Sequence, residues 1–375
     1  MAALACPLCT MQVPHTSPGP DAYVSTGSDT DGCPRYQGAN PLYYQVAVCP
    51  YCHFAAYHDD FGAIDPALAE TIARELSADK RALAVDFSQT ERSLFAALRS
   101  YELAAKSYEL RQAKADVLGS LALRSAWICR YSGQLSREVA FMTQAVNFYR
   151  EALFGGIRAD RRLDGLPVTY LIGELQLRCG FVDEAIEYFE RMGHTVDPGS
   201  DLGKLTAARL AEARRAQAAV SLLRGIPLFQ PMPEGSLGLL GVNSRNCSFS
   251  DGQALCRVGE PGDAMYVIAA GQAAVVIGGA TVAVLGPGQA VGEMALLTGA
   301  VRSADVLAQA AAEVLEISLT AFRHLLKVCP EVMDQLAKMV AQRQAENAAR
   351  AAGAGPSLAD VTASLQQRFE VGAEA

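Results

Sequence analysis

Basic side chains are in short supply in this sequence: 32 Lys and Arg stand against 40 Asp and Glu, a formal net charge of −8. Nucleic-acid binding calls for a basic patch or stripe, so no DNA or RNA partner is expected. Histidine is sparse too, with 5 residues; His15, His53, His58, His194 and His324 are scattered and form no constellation. No His/carboxylate metal motif, nucleophile elbow or Walker loop occurs, so the chain is not expected to be an enzyme. Residues 1–11 lack both a basic n-region and an apolar h-region, so no secretory signal is expected. Tryptophan occurs once, as Trp127, and its place among helix-spaced apolar residues assigns it to packing.

Charge disappears altogether from 264 to 292, a run longer than the roughly 20 residues that span a bilayer. It is broken by Gly271, Gly278, Gly279, Gly286, Pro287 and Gly288 and enriched in β-branched residues such as Val275-Val276-Ile277. Turn signals every few residues describe short strands, not a membrane helix. A cytoplasmic protein with no membrane partner is expected.

What the chain does have begins with cysteine. Of its 10 cysteines, four form the pairs Cys6-Pro-Leu-Cys9 and Cys49-Pro-Tyr-Cys52. Each Cys-x-x-Cys turn aims two thiolates at one cation, and two turns complete a tetrahedral zinc site with no open position, which makes it structural. Without a secretory signal, metal ligation is favoured over disulfides. His53, directly after the second pair, and Cys33, between the pairs, are alternative ligands. Tyr43 to Val48 alternates as a strand entering the second turn.

From 64 to 223 the text is rich in Ala, Leu, Glu and Arg at helical spacing, with Tyr101, Ala104, Ala105 and Tyr108 on one helix face. Gly133 and Gly180 close two helices. Such arrays present surfaces for partner proteins, so a protein partner is expected here. Gly225 to Pro233 carries three prolines and reads as a boundary. From 249 onward glycine-marked turns separate short strands, among them Ala264-Met-Tyr-Val-Ile268, Thr281-Val-Ala-Val-Leu285 and Glu313-Val-Leu-Glu-Ile317; Gly271-Gln272 reads as one of the turns. Helices follow, broken at Pro330.

The densest chemistry lies in Val291-Gly-Glu-Met-Ala-Leu-Leu-Thr-Gly-Ala-Val-Arg302-Ser303-Ala. Gly292 permits a close backbone approach. Residues 293–297 can form one helical turn whose free N–H groups favour an anion, and Arg302 adds a charge-assisted donor. The acceptor-only Glu293 carboxylate then suits a sugar hydroxyl.

Three resemblances follow from these residues. Gly-Glu-x-Ala-Leu with Arg-Ser-Ala ten residues after the glycine resembles the phosphate-binding cassette of cyclic nucleotide-binding domains, the superfamily of catabolite activators and kinase regulatory subunits. It covers about 226–345, including the Gly259-Glu-Pro-Gly-Asp263 turn. It implies that Glu293 binds the ribose 2′-hydroxyl and Arg302 the cyclic phosphate, with Gly292, Ala295 and Ser303 beside the ligand. Arg-Ser-Ala points to cyclic AMP ahead of cyclic GMP, and the terminal helices from Phe322 are implied as dimer contacts or ligand-responsive elements. The two cysteine pairs with Asn40-Pro-Leu-Tyr-Tyr44 resemble an uncharacterised bacterial family over roughly 5–220, which brings no activity. That family usually has glycine where this chain has His53, so a different turn is expected there. Phe181-Val-Asp-Glu-Ala185-Ile-Glu-Tyr-Phe189, with Gly173 and Gly180, resembles a tetratricopeptide repeat.

The expected fold is therefore multidomain α+β: a four-cysteine, zinc-ribbon-like module (1–63), a tetratricopeptide-like helical array (64–224), an antiparallel β-roll with flanking helices that binds cyclic nucleotide (225–350), and a flexible tail (351–375) with one short helix from 358 to 369. The expected function is a cyclic-nucleotide receptor or signalling adaptor whose ligand state reaches the helical surface. The alternative is a constitutive scaffold with a roll that no longer binds nucleotide.

Overall fold

The computed structural model describes residues 2–15, 17–62, 64–77, 85–89, 91–160, 166–350 and 357–369. Grouped by contact, the chain forms two compact units, one of residues 1–176 and 188–206 and the other of residues 177–187 and 207–375. The cysteine pairs and the helices through residue 176 share the first unit, whereas residues 207–224 fall in the second.

The first unit starts with three antiparallel hairpins: β1 (Ala2–Ala5) with β2 (Gln12–His15), β3 (Tyr23–Ser28) with β4 (Pro34–Gly38), and β5 (Val46–Val48) with β6 (Ala55–Tyr57). β5 is shorter than the alternation from Tyr43 suggests. Asn40 accepts the Leu42 N–H through its side chain at 3.0 Å and starts a 3₁₀ turn over Pro41–Tyr44. A local side-chain cap of this kind competes with strand formation.

Helices α1 (Pro66–Ser77), α2 (Leu94–Leu110), α3 (Ala115–Tyr131) and α4 (Leu135–Phe154) follow. Ser93 caps α2 by accepting the Ala96 N–H at 3.1 Å. Tyr101, Ala104 and Tyr108 are buried on one face of α2, with Ala105 half-buried at its edge. This face also completes the sheet. Ser107 Oγ accepts the Ala55 N–H and Tyr108 Oη accepts the Tyr57 N–H, each at 3.3 Å, so a helix supplies the acceptors that another strand would otherwise provide.

A two-residue pairing of β7 (Ala159–Asp160) with β8 (Leu166–Pro167) leads into α5 (Val168–Arg178), α6 (Val182–Gly193) and α7 (Asp201–Arg224). Gly133 and Gly180 end helices in left-handed geometry, with φ of +73° and +85°. Close helix packing relies on glycine: a Cβ at Gly119 would meet the Tyr149 ring at 2.8 Å, and one at Gly173 would meet Tyr188 at 3.0 Å. Trp127 is buried, as its sequence context indicates.

The second unit holds a six-stranded antiparallel sheet of β9 (Arg245–Phe249), β10 (Ala254–Cys256), β11 (Ala264–Ile277), β12 (Ala280–Leu285), β13 (Ala290–Val291) and β14 (Asp305–Ser318). Its long pair is β11 with β14. Met265 and Val267 join a core with Leu315, Ile317 and the helices, whereas Ala264, Tyr266 and Ile268 join a second core with Val306, Ala308 and Val314. Successive side chains of a strand point to opposite faces. Because β11 buries both faces over its first half, the uncharged run reads as continuous apolar sequence.

Gly271 does not close a turn. It lies inside the 14-residue β11, at a register shift against β14, with φ +77°. A glycine bulge explains a turn-like signal inside a continuous strand. Gly278 and Gly279, with φ of +59° and +82°, do form the two-residue turn between β11 and β12, as paired positive-φ residues in a tight hairpin should.

Helices α8 (Glu234–Val242), α9 (Glu293–Thr298), α10 (Leu319–Val328), α11 (Val332–Arg350) and α12 (Leu358–Phe369) complete this unit. The break between α10 and α11 falls at Cys329-Pro330, as the proline requires. Ile226, Leu228, Phe229 and Met232, in the segment that the sequence reads as a boundary, are buried in this unit's core. Of the segment assigned as a flexible tail, α12 buries Val361, Leu365 and Phe369 in the same core, with the Phe369 ring 6.0 Å from that of Phe322; residues 351–356 and 370–375 lie outside the described part. The i, i+4, i+8 spacing of those three side chains makes one apolar stripe. Among the described residues no helix is long and apolar enough to cross a membrane.

Candidate functional site

Strand β13 delivers the chain to Gly292, whose φ of +86° makes the turn into α9. A Cβ there would collide with Arg302 Nη1. Glycine is therefore required twice, for its backbone angle and for the approach of the guanidinium. Opposite α9 lies the Gly259–Asp263 turn, where a Cβ on Gly262 would meet Ala295 at 2.6 Å.

Arg302 is fastened to this turn by its backbone: its N–H donates to the Glu260 carbonyl and its own carbonyl accepts the Gly259 N–H, both at 2.9 Å. Its side chain is 5% exposed. Nη1 donates to the Gly292 carbonyl at 3.1 Å and Nη2 to the Ala264 carbonyl at 2.5 Å, while the guanidinium carbon sits 5.8 Å from the Tyr266 ring centroid. Nε is buried with no hydrogen-bond partner. No ion pair joins Arg302 to a carboxylate among the described residues. Buried charges are ordinarily paired or neutralised; the partners of this one are the two main-chain carbonyls. Burial raises the pKa of Tyr266 and Cys256, and the Arg302 charge opposes both shifts.

The other residues expected at this site lie around the same loop. Glu293 and Ala295 are half-buried on α9, Gly292 is half-buried at its start, and Ser303 is exposed beside Arg302. Sequence reasoning missed Ala264 and Glu260, whose contributions are main-chain carbonyls with no side-chain signature. It also missed Arg368 on α12, whose Nε donates to the Leu296 carbonyl at 3.2 Å and whose Nη2 donates to the Gly262 carbonyl at 3.0 Å.

A second constellation lies in the first unit. The sulfurs of Cys6, Cys9, Cys49 and Cys52 all lie within 4.8 Å of one another. Cys6 to Cys52 and Cys9 to Cys49 are each 3.5 Å, and none of the four is in a disulfide. Four sulfurs about 2.3 Å from one ion would stand about 3.8 Å apart, so the donor set and its spacing fit a tetrahedral thiolate site. Soft thiolates of this kind select zinc, copper(I) or iron–sulfur centres. Hydrogen bonds from Cys49 and Cys52 hold the Cys6 thiol down at about 2, whereas hydrogen bonds with Cys49 and Cys6, together with burial, push Cys52 up.

Both cysteine turns share one backbone design. Thr10 and His53 donate their N–H groups to the carbonyls of Cys6 and Cys49 at 2.9 Å each. Cys6 and Cys49 donate in turn to the carbonyls of Met11 and Phe54 at 3.0 and 2.8 Å. Thr10 and His53 both have φ of +61°. His53 thus holds the left-handed angle that a glycine would adopt without strain. Cys33 stands outside the four-sulfur cluster and donates to Tyr131 Oη at 3.4 Å; burial pushes its pKa up to about 12.

The Asp29-Thr-Asp31 stretch is a structural node. Asp31 is 0% exposed; it accepts the Trp127 indole N–H at 3.0 Å and the Arg130 Nη2 at 2.7 Å. Arg130 also bonds Asp29 at 2.8 Å and Glu138 at 2.7 Å.

Comparison with known proteins divides the chain similarly. Residues 2–208 match the family described as an uncharacterized protein conserved in bacteria (DUF2225), and residues 246–329 match the cyclic nucleotide-binding domain. A cyclic nucleotide-gated potassium channel of Mesorhizobium japonicum is 32% identical over 123 residues, 33% of this chain and 34% of the channel. The cyclic AMP receptor protein of Thermus thermophilus is 30% identical over 129 residues, 33% of this chain and 60% of the receptor. The first of these matches therefore spans about a third of the relative's length. Among solved structures, the regulatory domain of Toxoplasma gondii PKA with cAMP matches at 26% identity and a TM-score of 0.32, covering 37% of this chain and 56% of that one.

Proposed function

Because this chain belongs to the bacterial DUF2225 family and carries a cyclic nucleotide-binding domain, we propose that it is a cyclic-nucleotide receptor with a metal-ordered N-terminal unit as its output. The observation that carries this reading is Arg302: a guanidinium 5% exposed, with Nε unpartnered and no carboxylate paired to it, behind the Gly292 turn. A cyclic phosphate on Arg302 would neutralise that charge, and Glu293 would accept from the ribose hydroxyl, with Gly292, Ala295 and Ser303 lining the ligand. The Arg302-Ser303 sequence favours cyclic AMP over cyclic GMP. Cys6, Cys9, Cys49 and Cys52 would hold a structural zinc, whose four filled positions leave none for catalysis. The helices of the first unit would present the surface for a protein partner, in a cytoplasmic, non-catalytic adaptor that associates through its C-terminal helices.

Titration calorimetry with cyclic AMP and cyclic GMP tests the reading. Arg302→Leu and Glu293→Ala should each weaken binding by about ten- to a hundredfold, the size of a lost hydrogen bond to a charged group. A zinc-loaded wild-type protein that binds neither nucleotide would refute it. A second reading, a constitutive scaffold, draws on the same side chain, since two Arg302 donors are already taken up by the Gly292 and Ala264 carbonyls. That reading requires partner capture to be the same in wild-type and Arg302→Leu protein, with and without nucleotide.

A further inference from the structure

The helix α12 lies beyond the segment matched to the cyclic nucleotide-binding domain, which ends at residue 329, yet it reaches back to the cassette. Arg368, in its last turn, donates Nε to the Leu296 carbonyl at 3.2 Å and Nη2 to the Gly262 carbonyl at 3.0 Å, with Asp263 Oδ1 at 3.3 Å. A Cβ on Gly299 would lie 3.5 Å from Arg368 Cδ, so its aliphatic stem runs along the end of α9. Two elements are thereby joined by one planar fork. Leu296 belongs to α9, which starts with Glu293; Gly262 belongs to the turn that fastens the Arg302 backbone. A short helix such as α9 leaves its last carbonyls without intrahelical partners, and an arginine is well suited to satisfy them.

The fork is itself held from the core. Arg323 of α10 donates Nη2 to the Arg368 carbonyl at 3.3 Å, and Phe369 packs on Phe322. Val361 and Leu365 anchor the rest of α12.

We propose that Arg368 is a positioning residue for the nucleotide site: it clamps α9 to the Gly259–Asp263 turn, so that docking of α12 and occupancy of the cassette favour each other. This rests on the receptor reading above. With the clamp in place, α9 and Arg302 are pre-set and the ligand need not order them, which strengthens binding. Equilibrium coupling between two events is reciprocal, so nucleotide must in turn hold α12 down.

The experiment uses the full chain. Calorimetry with cyclic AMP and cyclic GMP is run on wild type, Arg368→Ala and Arg368→Lys, alongside hydrogen exchange of residues 357–369 with and without nucleotide. Arg368→Ala should bind at least about fivefold more weakly, the lower end of ordinary coupling. Arg368→Lys keeps the charge without the fork, should stay folded if the alanine variant does not, and should bind with intermediate affinity. Residues 357–369 should exchange more slowly when nucleotide is bound. Wild-type protein that binds no nucleotide would remove the receptor reading itself. Wild type that binds, with both variants binding equally well or tighter, or with exchange in 357–369 indifferent to nucleotide, overturns the clamp alone.

Discussion

Arg302 Nη1 occupies the space in which a side chain at position 292 would begin, and it donates to the carbonyl of that same Gly292 at 3.1 Å. The glycine and the arginine, ten residues apart, are one device. Gly292→Ala should therefore cost about 1–2 kcal/mol from the left-handed backbone alone and also displace the guanidinium. Thermal melting and nucleotide titration separate the two effects. A variant that is destabilised yet binds at wild-type affinity would show that Arg302 does not depend on the gap.

The matched φ of +61° at Thr10 and His53 gives a prediction of opposite sign. A left-handed backbone at a residue with a Cβ is strained by roughly 1–2 kcal/mol. His53→Gly relieves that strain while gaining some chain entropy on unfolding, so the net expectation is a stabilisation of about 1 kcal/mol. His53→Val, β-branched at the same angle, should destabilise. Melting at fixed zinc concentration ranks the three proteins; valine at or above histidine in stability would contradict the geometry.

Local motifs are legible in the sequence because their partners lie close by in the chain. The cysteine turns and the Gly292-to-Arg302 loop each carry their chemistry within a dozen residues or fewer. Contacts between a side chain and a distant backbone group carry no such signal: Ser107 with Ala55 is 52 residues apart, and Arg368 with Gly262 is 106 apart. Gly271 misleads because a glycine bulge and a glycine turn use the same positive φ. The prolines at 227, 231 and 233 punctuate a segment that is packed into the core of the second unit by Ile226, Phe229 and Met232. α12 is the short helix that its sequence indicates, but its apolar stripe is too brief to reveal that it is anchored.

The Asp31 node predicts a ranking. Arg130 is shared by Asp29, Asp31 and Glu138, so Arg130→Met takes the shared counter-charge from three carboxylates, one of them 0% exposed. Asp31→Asn keeps the shape and leaves Arg130 two carboxylates. Breaking a buried pair by removing one partner costs about 3–5 kcal/mol. Arg130→Met should fall at the upper end or beyond and Asp31→Asn at the lower end, as read from denaturant midpoints. Equal losses, or the reverse order, would mean that the arginine is not the shared counter-charge.

His324, half-buried on α10, sets a pH dependence. Burial lowers its pKa below the ordinary 6.5, so the imidazole is held neutral in the folded chain over a range in which the unfolded chain binds a proton. Where the unfolded state binds more protons, stability rises with pH. The contribution is therefore fully present above about pH 6.5 and is lost as pH falls from there through the folded value. Other groups titrate in the same range, so the comparison is between wild type and His324→Gln, measured as denaturant stability from about pH 7.5 to about pH 5 at constant ionic strength, a window that brackets the ordinary imidazole value. The wild type should lose more stability than the variant on acidification, and the difference should develop below about pH 6.5. Parallel curves for the two proteins would show that His324 gains its proton as readily folded as unfolded.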